Sequence, residues 1–222
     1  MTCLPVIRRL GVALLLSSGA GAQSAPPRMH LDFTAARGST LTTFSAGAVG
    51  MTVPILGHFR FGLGVRGTYA GGDLKLTPAG ARNVPVGVVD TLSLTSSALL
   101  FNVSGHVSAL LTDRFEVGMN IDLLGLGAGA SRSGMYRLSA GASPISVEAT
   151  PASVNLFLYG SNDRGSLNSE FFGVWHATRR VAIRAGLSHQ LVEYKTSRLL
   201  SSNTDRFRRY SNLGVVGVRV GR

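Results

Sequence analysis

The sequence has almost no cysteine. Cys3 is its one thiol, and it precedes an apolar run that reads as an export leader, so the chain beyond that leader can form neither a disulfide nor a thiolate metal site. Long hydrophobic runs are also missing: nothing supplies the roughly 18 uninterrupted apolar residues of a membrane-crossing helix. Acidic residues are scarce, 11 against 22 basic, and the net charge of +11 calls for an anionic neighbour. Nucleic acid is a poor candidate because the arginines are scattered along an exported chain and do not cluster on one element. His30, His58, His106, His176 and His189 lack the short spacings of a metal site, so no metal and no cofactor are expected. Gly125-x-Gly127-x-Gly129 leads into a loop with no helix after it, which makes a dinucleotide reading weak. The loop carboxylates Asp73, Asp90, Glu148, Asp163 and Asp205 are too far apart for an acid protease.

Glycine is abundant at 28, and 45% of the residues are hydrophobic, distributed in short alternating pieces. At the front, Arg8 and Arg9 precede the apolar Leu10 to Leu16, and Ala20-x-Ala22 suits signal peptidase. Residues 1–22 are therefore expected to be a cleaved signal peptide, and residues 23–222 one barrel domain. The chain is organised around Phe101 to Asp122. Leu99, Phe101, Val103, Val107, Ala109 and Leu111 alternate with Asn102, Ser104, His106 and Ser108; then Phe115, Val117, Met119 and Ile121 alternate with Glu116, Asn120 and Asp122. A period of two gives each strand one greasy and one wet face. A turn at Thr112-Asp113-Arg114 pairs Leu111 with Phe115, Ala109 with Val117 and Val107 with Met119.

The same unit recurs. Met29 to Ala36 reads as a first strand, and Leu41 to Val53 as a second that turns at Pro54 to His58 into a third from Phe59. That turn pairs Met51 with Phe61 and Val49 with Leu63 outward, leaving Ala46, Ala48 and Gly50 inward beside Arg60 and Arg66. Leu167 to Tyr194 forms another hairpin about Ala177-Thr178-Arg179, pairing Trp175 with Val181, and a last strand runs from Tyr210 to Val220. Gly71 to Asp90, Gly125 to Asn168 and Ser197 to Arg206 read as loops. The expected fold is all-β: an eight-stranded antiparallel up-and-down transmembrane β-barrel, or ten strands if Met135 to Tyr159 adds a hairpin. Short turns at one end and long loops at the other fit periplasmic and extracellular sides, with Phe59, Phe115 and Trp175 against Tyr69 and Tyr210 as aromatic girdles.

The units LTDRFEVGMNIDLLG, ATRRVAIRAGLSHQLVEY, NDRGSLNSEF and SNLGVVGVRV resemble the small outer-membrane β-barrel proteins of Gram-negative bacteria, most closely those of Bacteroidetes type. The resemblance implies the cell outer membrane, insertion by the barrel assembly machinery, a monomer, and lipid or lipopolysaccharide as surroundings. The ending Val218-Arg219-Val220-Gly221-Arg222 departs from the terminal aromatic usual in such barrels.

Parity directs Arg60, Arg66, Glu116, Asp122, Glu170, Arg184 and Arg219, with Asp32, into the lumen, where they are expected to pair and block conduction. Arg132, Arg137, Arg164, Arg198, Arg206 and Arg208 fall in the long-loop regions, where guanidinium forks suit lipopolysaccharide phosphates. The function expected is a structural or surface-interaction barrel. A porin-like pore or small-molecule carrier is the alternative, and a lipid A-modifying esterase the remote one. That last reading rests on His106-x-Ser108 with Glu116, the histidine–serine pair and glutamate of lipid A deacylases, but parity turns these residues away from lipid. No enzyme is expected.

Overall fold

The computed structural model describes residues 28–51, 59–81, 89–158, 162–200 and 203–221. The signal segment, the Pro54 to His58 turn, Tyr159 and Arg222 lie outside them. Eleven strands are described: β1 (Arg28–Arg37), β2 (Thr42–Met51), β3 (Phe59–Pro78), β4 (Thr91–Thr112), β5 (Phe115–Ala128), β6 (Arg132–Arg137), β7 (Ile145–Pro151), β8 (Val154–Leu156), β9 (Leu167–His176), β10 (Val181–Thr196) and β11 (Arg206–Gly221).

Eight of them close a ring. The order is β1-β2-β3-β4-β5-β9-β10-β11, every pairing is antiparallel, and β11 returns to β1 through Phe33 opposite Val218 and Asp32 opposite Arg219. The β6–β7 hairpin falls within the segment read as a loop, yet it does not widen the barrel to ten strands, because β5 pairs directly with β9.

Above the eight-stranded ring a second, narrower ring forms. β3, β4, β10 and β11 run on past the ends of their neighbours, β6 and β7 fit between β4 and β10, and β11 meets β3 at Phe207 opposite Pro78. The chain from Gly71 to Pro78 is thus strand, not loop. Its alternation inverts where a loop reading supposes that it fails. Even-numbered residues of β3 point inward throughout, but Arg60 and Thr68 give way to Ala70, Leu74 and Leu76. In β4 the same change falls between Asn102 and Leu100, and in β10 between Gln190 and Val192. The lower ring is therefore apolar outside and polar inside, while the upper ring encloses an apolar core that includes Leu76, Leu92, Tyr136, Val147, Tyr194 and Phe207. Phe207 meets Tyr136 edge-on at 5.9 Å, and the Tyr194 hydroxyl donates to Ser96 Oγ at 3.1 Å, so the buried phenol keeps a partner. Gly72 sits where β3 leaves β2. Its φ of 148° and a Cβ position only 2.1 Å from Thr40 O leave no room for a side chain there.

Two registers, β2–β3 and β9–β10, differ from those expected, while β4 and β5 keep the expected pairs Ala109 with Val117 and Val107 with Met119 and differ only where the turn closes. In β2, Met51 lies opposite Gly62 and Val49 opposite Gly64, so both large residues point inward and Ala46, Ala48 and Gly50 face outward. Packing volume explains the reversal: a Cβ on Gly62 would lie 2.4 Å from Met51 Sδ, and one on Gly64 2.9 Å from Val49 Cγ2. The glycines make the lumen space that Val49 and Met51 fill. Between β4 and β5, Thr112 pairs with Phe115 and Leu111 bulges out, tightening the turn to Asp113-Arg114; Thr112 Oγ1 accepts from the Phe115 amide at 3.0 Å. Between β9 and β10, Trp175 lies opposite Ile183 instead of Val181, because a turn closed by Thr178 N donating to Val181 O lengthens the connection. A further bulge at Leu123 moves β5 by one residue, keeping Leu124 and Leu126 outward above Met119.

Candidate functional site

Four arginines and four carboxylates meet inside the lower ring. They come from six strands: Asp32 of β1, Arg60 and Arg66 of β3, Glu116 and Asp122 of β5, Glu170 of β9, Arg184 of β10 and Arg219 of β11. Each is placed by the inward parity of its strand, and each side chain is at most 9% exposed.

Four arginines face four carboxylates, and the pairs form one connected chain. Arg60 lies 4.0 Å from Glu116, which accepts from Arg219 at 3.0 Å. Arg219 grips Asp32 with two nitrogens at 2.8 and 3.0 Å, and Asp32 accepts from Arg184 at 2.6 Å. Arg184 also binds Glu170, which lies 3.1 Å from Arg66, and Arg66 ends the chain on Asp122 at 2.5 Å. The four positive and four negative charges cancel, which is the condition under which so many buried ions can persist. Phe172 adds its ring face, 3.7 Å from the Arg184 guanidinium carbon.

Neutral polar residues complete the network. Asn120 donates to Glu170 at 2.9 Å, Asn102 to Asp122 at 2.6 Å, and Asn168 to Glu170 at 2.9 Å and, through its amide, to Asp122 at 2.9 Å. Asn168 in turn accepts from Ser188 at 2.7 Å. Asn168 and Ser188 are the members least visible in the sequence. Inward parity was the available signal, but their partners became apparent only with the β9–β10 register. Between Arg66, His106, Asn120 and Glu170 remains a cavity of about 20 Å³, room for about one water.

The histidine–serine pair of an esterase is not assembled. His106 Nε2 is hydrogen-bonded to Ser104 Oγ at 2.9 Å, and Glu116 is held by Arg219. Among the described residues no group of three or more His, Asp or Glu side chains could hold a metal ion.

The loop arginines divide into two sets. Arg132, which donates to Ser97 Oγ, and Arg137, Arg164 and Arg198 are exposed at the long-loop end. Arg206 is bound by both oxygens of Glu193 at 2.8 Å, which raises its pKa above the usual arginine value. Arg208 is 2% exposed and donates to the carbonyls of Ala79 and Asp163. These two brace the upper ring. Of the expected girdle residues, Phe59, Phe115, Trp175 and Tyr69 are exposed, whereas Tyr210 is half-buried and stacks on His189 at 5.5 Å.

No family model and no curated protein matches the chain. Solved structures do. Neisserial surface protein A aligns over 90% of this chain and 100% of its own, at 14% identity and a TM-score of 0.42. The outer membrane protein Ail of Yersinia pestis aligns over 88% and 99%, at 9% identity and 0.38. The Pseudomonas putida toluene transporter TodX aligns over 90% and 89%, at 9% identity and 0.28. The barrel is established by its own strand pairing, and these similarities carry no further weight.

Proposed function

We propose that the chain is a monomeric outer-membrane β-barrel with an occluded lumen, whose long-loop end binds the phosphates of lipopolysaccharide. One observation carries this reading: the polarity of inside and outside reverses between the two rings. An apolar exterior over a polar interior is stable in lipid, and the opposite arrangement is stable in water. The reversal supports a lower ring within a membrane and an upper ring outside it. Phe59 to Tyr69 covers ten residue-to-residue steps, which at about 3.3 Å each and a tilt of about 40° give roughly 25 Å of height, that of an outer-membrane apolar band. Export through residues 1–22, insertion by the barrel assembly machinery and kinship with Bacteroidetes-type barrels belong to the same proposal. The chain then serves as a surface-binding and structural element, with no reaction to catalyse.

Arg132, Arg137, Arg164 and Arg198 supply the phosphate contacts. An exposed arginine contributes about 0.5 kcal/mol, so replacing all four by glutamine is expected to cost about 2 kcal/mol, a roughly thirtyfold weaker binding of lipopolysaccharide micelles. Titration of the folded protein in uncharged detergent measures this. Unchanged affinity would reduce the four to solvated loop charges. Arg206→Gln serves as the contrast, expected to lower stability and leave binding intact.

A further inference from the structure

The other end of the barrel holds a second concavity. At the short-turn end the lower ring opens into a cavity of about 630 Å³, within the size range of small-molecule sites. Arg60, Glu116 and Arg219 form its floor, and the Asp113-Arg114 and Thr178 to Arg180 turns form its rim. The floor belongs to the neutral network described above. The rim does not balance: Arg114, Arg179 and Arg180 make no ion pair among the described residues, and Asp113 is the acidic side chain beside them. Polar atoms of its wall are buried without a hydrogen-bond partner among the described residues. Ser108 Oγ and His30 Nε2 line the cavity in residues 4% and 8% exposed, and neither atom has a hydrogen-bond partner among the described residues. Asp32 lies 3.7 Å from His30 Nε2, beyond hydrogen-bond length.

Buried polar atoms are rarely left without partners, because each costs the desolvation of its lost hydrogen bonds. A ligand that satisfies this set must carry negative charge for the rim and accept hydrogen bonds from the hydroxyl and the imidazole on the wall. We infer that the short-turn vestibule binds a phosphate group, with the forks of Arg114, Arg179 and Arg180 outside it and Ser108 and His30 behind it. Phosphate fits better than a carboxylate because it offers oxygens in both directions at once. The group arrives either as a soluble phosphate compound or on a phospholipid headgroup, since Phe115 and Trp175 place the rim at the edge of the apolar band. The site is independent of what the long-loop end binds.

Isothermal titration calorimetry of the folded protein in uncharged detergent at low ionic strength tests this, with inorganic pyrophosphate and dihexanoyl phosphatidylglycerol as probes. Saturable binding of one pyrophosphate per barrel supports the site with a soluble ligand; saturable binding of the lipid alone supports it with a headgroup. Arg114→Gln, Arg179→Gln and Arg180→Gln together should abolish binding. Ser108→Ala and His30→Phe, each checked for folding by heat-modifiable gel mobility, should weaken it at least threefold without changing the charge of the rim. If neither probe saturates, or if both wall variants bind as the parent does, the site is overturned and the turns carry surface charge alone.

Discussion

Glu170→Leu is expected to lower the unfolding free energy by about 3 to 5 kcal/mol, the usual result of removing one partner from a buried ion pair. Glu170 holds Arg66 and Arg184 at once and accepts from Asn120 and Asn168. Its loss leaves a network of four cations against three carboxylates. The double variant Glu170→Leu with Arg184→Leu restores neutrality and fills the space with apolar volume. It should therefore recover at least half of the loss, since an ion pair replaced as a unit is often nearly neutral. Urea unfolding in lipid vesicles, followed through Trp175 fluorescence and gel mobility, gives both values. A single variant within 1 kcal/mol of the parent would mean that the network does not carry the stability of the lower ring.

The second large effect lies on the outer face. Met119 is 47% exposed at mid-height of the apolar band, opposite Val107 and Phe171. Met119→Arg should cost about 2 to 4 kcal/mol, the penalty for arginine near the midplane of a membrane barrel. Met135 is equally exposed, at 46%, but lies on β6 in the upper ring. Met135→Arg should change stability by less than 0.5 kcal/mol, as surface substitutions in water do. The contrast between two equally exposed methionines isolates the surrounding medium. Equal costs at the two positions would remove the membrane from the lower ring.

The eight-stranded ring was legible because β4, β5, β9 and the lower part of β10 alternate over many residues, and alternation fixes which side chains share a face. The same parity directed Arg60, Arg66, Arg184 and Arg219 towards the carboxylates they meet. Three features were not legible, for physical reasons. In β2 the rule that larger apolar residues face outward chose Val49 and Met51, but the empty space over Gly62 and Gly64 lies on a different strand and decided the matter by volume. In β3 the change from Arg60 and Thr68 to Leu74 and Leu76 leaves parity intact and reverses polarity. Hydropathy alone cannot separate such a strand from a loop, because the medium around it has changed. The closure of β11 onto β3 and the insertion of β6 and β7 are long-range pairings with no local signature.

Occlusion of the lumen is the central claim, and it rests on two closures in series: the charge network of the lower ring and the apolar core of the upper one. Planar-bilayer recording tests it most directly. The wild type is expected to show no stepwise conductance at any holding potential the bilayer withstands. Glu116→Ala is expected to remain silent as well, because Leu76, Leu92, Tyr194 and Phe207 still fill the upper ring. Steady unitary steps from the wild type would contradict the claim and establish a pore.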